Sequence, residues 1–172
     1  MFEKGNYIVY GTTGVCEIED ITAPDIAGTG STRLYYVLSP CFQKGNRIFT
    51  PVDNEKVVIR AVMTQEEADA LVNEIPAIEE LAVLDDKQRE KCYREAIRSG
   101  DPREWIRIIK TSYFRQQDRR AKGKKVTAVD ERYFHAAEDQ LYAELSVSLG
   151  IAREDVRGYI QERVPLRIDG DI

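Results

Sequence analysis

Histidine and tryptophan each occur once in this chain and cysteine three times, and those scarcities exclude most site chemistry at the outset. Cys16, Cys41 and Cys92 are widely spaced, contain no CxxC pair and have only His135 to complement them. They read as free thiols of a reducing cytoplasm, and a structural zinc site is not expected. A hydrolase or transferase needs a nucleophile, a base and a group that orients the base. His135 lies mid-helix beside Phe134 and Ala136 and reads as a partly buried structural residue. No GxxxxGK[ST] or GxGxxG follows a strand, and "GTTGVCE" is a hairpin turn rather than a phosphate cradle. The acids of residues 66 to 80 lack metal-loop spacing and look like a solvated helix face. No apolar run approaches the roughly 18 residues of a membrane span. The opening "MFEKGNYIVYG" has no basic segment followed by an apolar one, so no secretory signal is expected. These absences predict a cytoplasmic chain that is not an enzyme and needs no cofactor.

What is present is a globular composition with an uneven charge. The 172 residues are 42% hydrophobic and 32% charged, with a net charge of −5, enough for one ordinary domain or two small ones. Residues 1 to 63 carry a net −1 and residues 64 to 84 a net −6 with no base. Residues 85 to 125 hold fourteen bases against seven acids, a net +7, and the remainder carries −5. The whole surface therefore does not suit nucleic acid, but a local patch does.

The first sixty residues read as strands. "NYIVYG", "VCEIEDI", "LYYVLS", "RIFTPV" and "KVVIRAV" are rich in β-branched and aromatic residues and are separated by turn signals at "GTTG" and "FQKGNR". "EDITAPDIAGTGSTR" reads as a loop. Five short strands predict a small curled sheet or SH3-like barrel. Pro51 cannot donate to a ladder, so "IFTP" belongs at a sheet edge or strand end, where a partner's strand can be accepted.

At Thr64 the period changes. "TQEE" supplies a capping box, and Ala68, Leu71, Val72 and Ile75 recur at helical spacing until Pro76. A second helix runs through "DKQREKCYREAIRS", with Cys92, Tyr93, Ala96 and Ile97 on one face, and ends at Gly100. Asp101 then caps a third helix with Pro102 in its first turn and Glu104 completing a second capping box. Trp105, Ile108, Ile109, Ser112 and Tyr113 fall on overlapping faces of that helix, which places Trp105 in a core stripe. "RRAKGKKV" is a basic connector. Thr127 caps a long helix ended by Gly150, "REDVRGYIQERV" makes a last one, and "PLRIDGDI" reads as a loose tail. The expected architecture is α+β: a small N-terminal barrel over residues 1–63 and an all-α bundle over 64–172.

The stretches "KGNYIVYGTTGVCEIEDI", "YYVL", "RIFTPVDN" and "SGDPREWIRIIKTSYFRQ", in that order, resemble the CarD/CdnL family of bacterial transcription regulators. The resemblance covers residues 2 to about 160. It implies an N-terminal Tudor-like domain, shared with the transcription-repair coupling factor, that binds the β subunit of RNA polymerase. It also implies a helical domain that touches promoter DNA at the upstream edge of the transcription bubble and stabilises the open complex, notably at ribosomal RNA promoters. On that basis the polymerase-facing candidates are Arg47, Ile48, Phe49, Thr50 and Pro51, and the DNA-facing candidates are Leu84, Arg89, Lys91, Lys122, Lys124 and Lys125. The chain is expected to act as a monomer, with weak DNA affinity of its own. One departure matters. Relatives carry a wedging tryptophan fourteen residues before the "SGD" glycine, where this chain has Asp86. Leu84 is the candidate apolar substitute. The alternative is a polymerase-bound adaptor that has lost promoter wedging.

Overall fold

The computed structural model describes residues 1–24, 32–82 and 85–164. The chain divides into two units, Met1–Val62 and Met63–Ile172.

The first unit is a five-stranded antiparallel sheet: β1 (Tyr7–Tyr10), β2 (Gly14–Thr22), β3 (Tyr35–Pro40), β4 (Ile48–Pro51) and β5 (Ile59–Ala61), in the spatial order β4-β3-β2-β1-β5. Side chains alternate across a pleated strand, and the register sets Ile8 opposite Cys16 and Ile18 opposite Leu38. One face therefore collects Ile8, Cys16, Ile18, Tyr36 and Leu38 into a buried cluster, with Ile48 and Ile59 packed against it. The 3₁₀ turn Gly11–Thr13 joins β1 to β2. At Gly11, φ is +46° and an added Cβ would lie 2.7 Å from Val57 Cγ1, so the turn requires glycine there.

Two strand expectations need correction. The barrel is an open sheet by its pairing, because β4 and β5 are its two edges and not each other's neighbours. Residues 19–21, read both as the end of the strand "VCEIEDI" and as the start of the loop, belong to the strand, since β2 runs on to Thr22 after a register shift between Ile18 and Asp20. Such a bulge inserts an extra residue, here Glu19, and bends the strand. Most of the remaining loop, residues 25–31, lies outside the described residues.

The second unit is helical: α1 (Gln65–Glu74), α2 (Asp86–Arg98), α3 (Pro102–Ala121), α4 (Ala128–Leu149) and α5 (Arg153–Arg163). The Thr64 capping box is formed in both directions. Gly150 closes α4 in the left-handed conformation at φ 65°. Asp101 caps α3 through the Arg103 amide, but Glu104 does not complete a box: its carboxylate takes the Arg107 guanidinium at 2.9 Å instead. Trp105 is fully buried, together with Ile108, Leu141, Leu145 and Ile160, so the lone tryptophan is core. The tail from residue 165 lies outside the described residues, and among those described no helix is long and apolar enough to cross a membrane.

Candidate partner and nucleic-acid interfaces

The β4 edge has a sidedness that follows from its ladder. The Val52 amide bonds the Leu34 carbonyl at 3.0 Å. In an antiparallel pair the bonded residues alternate, so residues 48, 50 and 52 address β3. The Phe49 amide and carbonyl and the Pro51 carbonyl then face outward along the sheet edge. The missing N–H of Pro51 thus falls on the side where no ladder bond is required. The side chains of Ile48 and Thr50 turn inward, Ile48 against the core and Thr50 buried with its hydroxyl accepting from Asn54 Nδ2 at 2.8 Å. Phe49 points out and is 58% exposed. Arg47 is also exposed, with its Nε held 2.8 Å from Glu19 Oε2 on the bulge. Of the five polymerase-facing candidates, Arg47 and Phe49 present side chains, and the odd positions of the strand present backbone.

In the helical unit the bases of residues 85–125 do not act alike. Several, buried or exposed, pair with other elements of the unit. Arg103 clamps Glu74 through two hydrogen bonds of 2.9 and 3.0 Å, and Arg107 donates to the Glu79 carbonyl at 3.3 Å. Lys110 is buried and its Nζ donates to the carbonyls of Ile75 and Ile78. Burial, the larger effect, holds this ammonium below its ordinary pKa although nearby Glu80 pulls the other way.

Arg89, like Lys110, is buried, contrary to the expectation that it faces DNA. It is 4% exposed. Its Nη1 lies 2.6 Å from Asp86 Oδ1 and its Nε 3.1 Å from Asp130 Oδ1. Asp130 has no solvent exposure and gathers three elements around it. It accepts from Tyr93 Oη on α2 at 2.9 Å, from Arg115 Nε on α3 at 3.2 Å and from the Thr127 hydroxyl at 2.6 Å. Burial alone would raise the Asp130 carboxyl, but these three hydrogen bonds and the Arg89 charge outweigh it and hold the group below the ordinary carboxylate value. The Tyr93 hydroxyl is pushed up, by burial first and then by the adjacent Asp130 charge. This buried cluster was not anticipated as a unit. One signal for it was present, because Arg89 stands four residues before Tyr93 on the face that helical spacing assigns to the core.

By contrast, Lys91, Lys122, Lys124 and Lys125 all face solvent. Lys122 is paired with Asp118 at 2.8 Å and Lys91 lies 3.9 Å from Glu95. The last three lysines sit on the connector between α3 and α4, folded back by Arg119, whose Nε donates to the Lys125 carbonyl at 2.6 Å. Asp86, the position at which the resemblance implies a wedge, opens α2 as an exposed carboxylate. Leu84 lies outside the described residues. His135 is exposed rather than partly buried; its ring meets Phe134 edge-on at 5.5 Å, beside a cleft between α3 and α4.

No curated protein matches the chain. Residues 2–63 match the family model of the CarD-like/TRCF RID domain, a span that covers the five strands and ends where the helical unit begins. Such a domain is a protein-interaction module and suggests an RNA polymerase partner and a transcription-related role. The N-terminal unit of the chain, residues 2–63, is thus similar to the RID domain that CarD-like proteins share with the transcription-repair coupling factor.

Proposed function

We propose that this chain is a polymerase-bound transcription regulator. Its RID domain docks on the RNA polymerase β subunit through the β4 edge. Its helical unit then meets promoter DNA at the upstream edge of the opened region and slows reclosure. The observation that carries the reading is the RID match over residues 2–63, together with a strand edge whose outward groups and exposed Phe49 suit pairing with an extended segment. The exposed lysines of the connector support the DNA contact. They number three, so DNA binding in isolation is weak, with a log–log salt slope of about −3. Attachment to polymerase supplies the local concentration that makes such contact effective.

A second reading, an adaptor that has lost DNA wedging, is favoured by one observation. Asp86 stands exposed at the wedge position, and a carboxylate there is repelled by phosphate. A photo-crosslinker at residue 124, placed in the polymerase–promoter complex, separates the two. The regulator labels DNA just upstream of the opened region. An adaptor binds polymerase equally well and leaves that DNA unlabelled.

A further inference from the structure

The cleft between the C-terminal half of α3 and the N-terminal half of α4 has the make-up of a base pocket, and we propose that it receives one unstacked base of a DNA single strand. It has room for about 190 Å³, which suits a planar heterocycle but no folded partner. Tyr113 and Phe134 give it aromatic walls, and an aromatic face stacks on any base. Gln116, Gln117 and Glu131 line the same cleft. A glutamine amide pairs with the amino edge of adenine and a glutamate accepts from the amino group of cytosine. The lining therefore favours adenine or cytosine over thymine, which has no exocyclic amine to offer. Arg120, also at the cleft, supplies a cation for the strand's phosphate.

The placement strengthens the case. The same two helices are joined by the connector that holds Lys122, Lys124 and Lys125. Lys122 lies five residues beyond Gln117, about 7.5 Å of helical rise, so a strand whose base enters the cleft runs its backbone toward the lysines. Duplex DNA does not offer this occupant, because its bases stay stacked. The inference rests on the reading that the helical unit meets DNA and adds the form of DNA it meets.

The test uses the full chain and fluorescence anisotropy with labelled 12-mers of dA, dC and dT and a duplex of mixed sequence, at low salt. The expected result is tighter binding of dA and dC than of dT or duplex. Gln117→Ala and Tyr113→Leu should then weaken dA and dC binding about ten-fold, the order expected for loss of base stacking or a bidentate contact, while duplex binding stays unchanged. Gln117 is only partly buried, so its variant keeps the test valid if Tyr113→Leu fails to fold. Binding that is equal for all four probes, or insensitive to both variants but lost in Lys124→Glu/Lys125→Glu, overturns the pocket and leaves the DNA reading standing. Absence of binding to every probe overturns the pocket, while crosslinking in the polymerase complex still decides the wider reading.

Discussion

The single tryptophan and, among the described residues, the single buried aspartate define what individual residues contribute. Trp105 has no exposure, so its role is volume in the core rather than contact with bases. Trp105→Ala should cost about 3–5 kcal/mol of unfolding free energy by removing a large buried side chain, measurable by urea titration followed by circular dichroism. Trp105→Phe should cost much less. An exposed wedge would give little loss in either. Asp130 is a different case because its value is electrostatic. Asp130→Asn leaves the buried Arg89 with Asp86 as its remaining carboxylate and weakens the hydrogen bonds from Tyr93 and Arg115, so it should cost about 1–3 kcal/mol. The wild-type pH dependence has a determined sign. Its carboxyl is depressed below the ordinary 3.8 in the folded state, so its contribution is full above about pH 4 and is lost as pH falls from 3.8 through the folded value. Acid unfolding of wild type should therefore steepen below pH 4, and the Asn variant should lack that component.

At the level of elements, what was legible depended on whether the signal was local. Caps and breaks were local: Thr64, Asp101, Thr127 and Gly150 all mark helix ends in the structure. The Trp105 stripe followed from spacing. The β2 bulge was not legible, because an extra residue shows only against the partner strand's register. Nor was the fate of Glu104, because the Asp101 amide it would accept from donates to the Ser99 hydroxyl at 3.1 Å and Glu104 takes Arg107 instead. The DNA-facing expectation for Arg89 rested on the resemblance, whereas its spacing to Tyr93 puts it on the core face, where it is buried. On the sheet edge, outward-facing groups at 49 and 51 were implied by Pro51, but the inward turn of Ile48 and Thr50 needed the ladder itself. Phe49→Ala and Phe49→Pro test the edge. The first removes the exposed ring and the second also removes an outward N–H, leaving the buried face alone. Both should lower affinity for the β subunit at least ten-fold, the proline more, in a binding titration with purified subunit. Unchanged affinity would place the dock elsewhere.

For the whole molecule, the proposed function brings an acidic chain to an acidic polymer through a small number of exposed lysines, and attachment to polymerase is what would make that contact productive. The bases that the sequence grouped into one positive segment are divided by the fold, some used to hold helices together and the connector lysines left facing solvent. Under the proposed function, the bound protein would lengthen the life of the opened promoter. Whether transcription rises or falls then depends on whether opening or escape limits that promoter. The decisive measurement is the lifetime of an open complex on a ribosomal RNA promoter, with no protein, with wild type, and with Lys122→Glu/Lys124→Glu/Lys125→Glu. The account predicts a several-fold longer lifetime with wild type, lost in the triple variant while polymerase binding persists. A lifetime unchanged by wild-type protein that is demonstrably bound to the β subunit would contradict it.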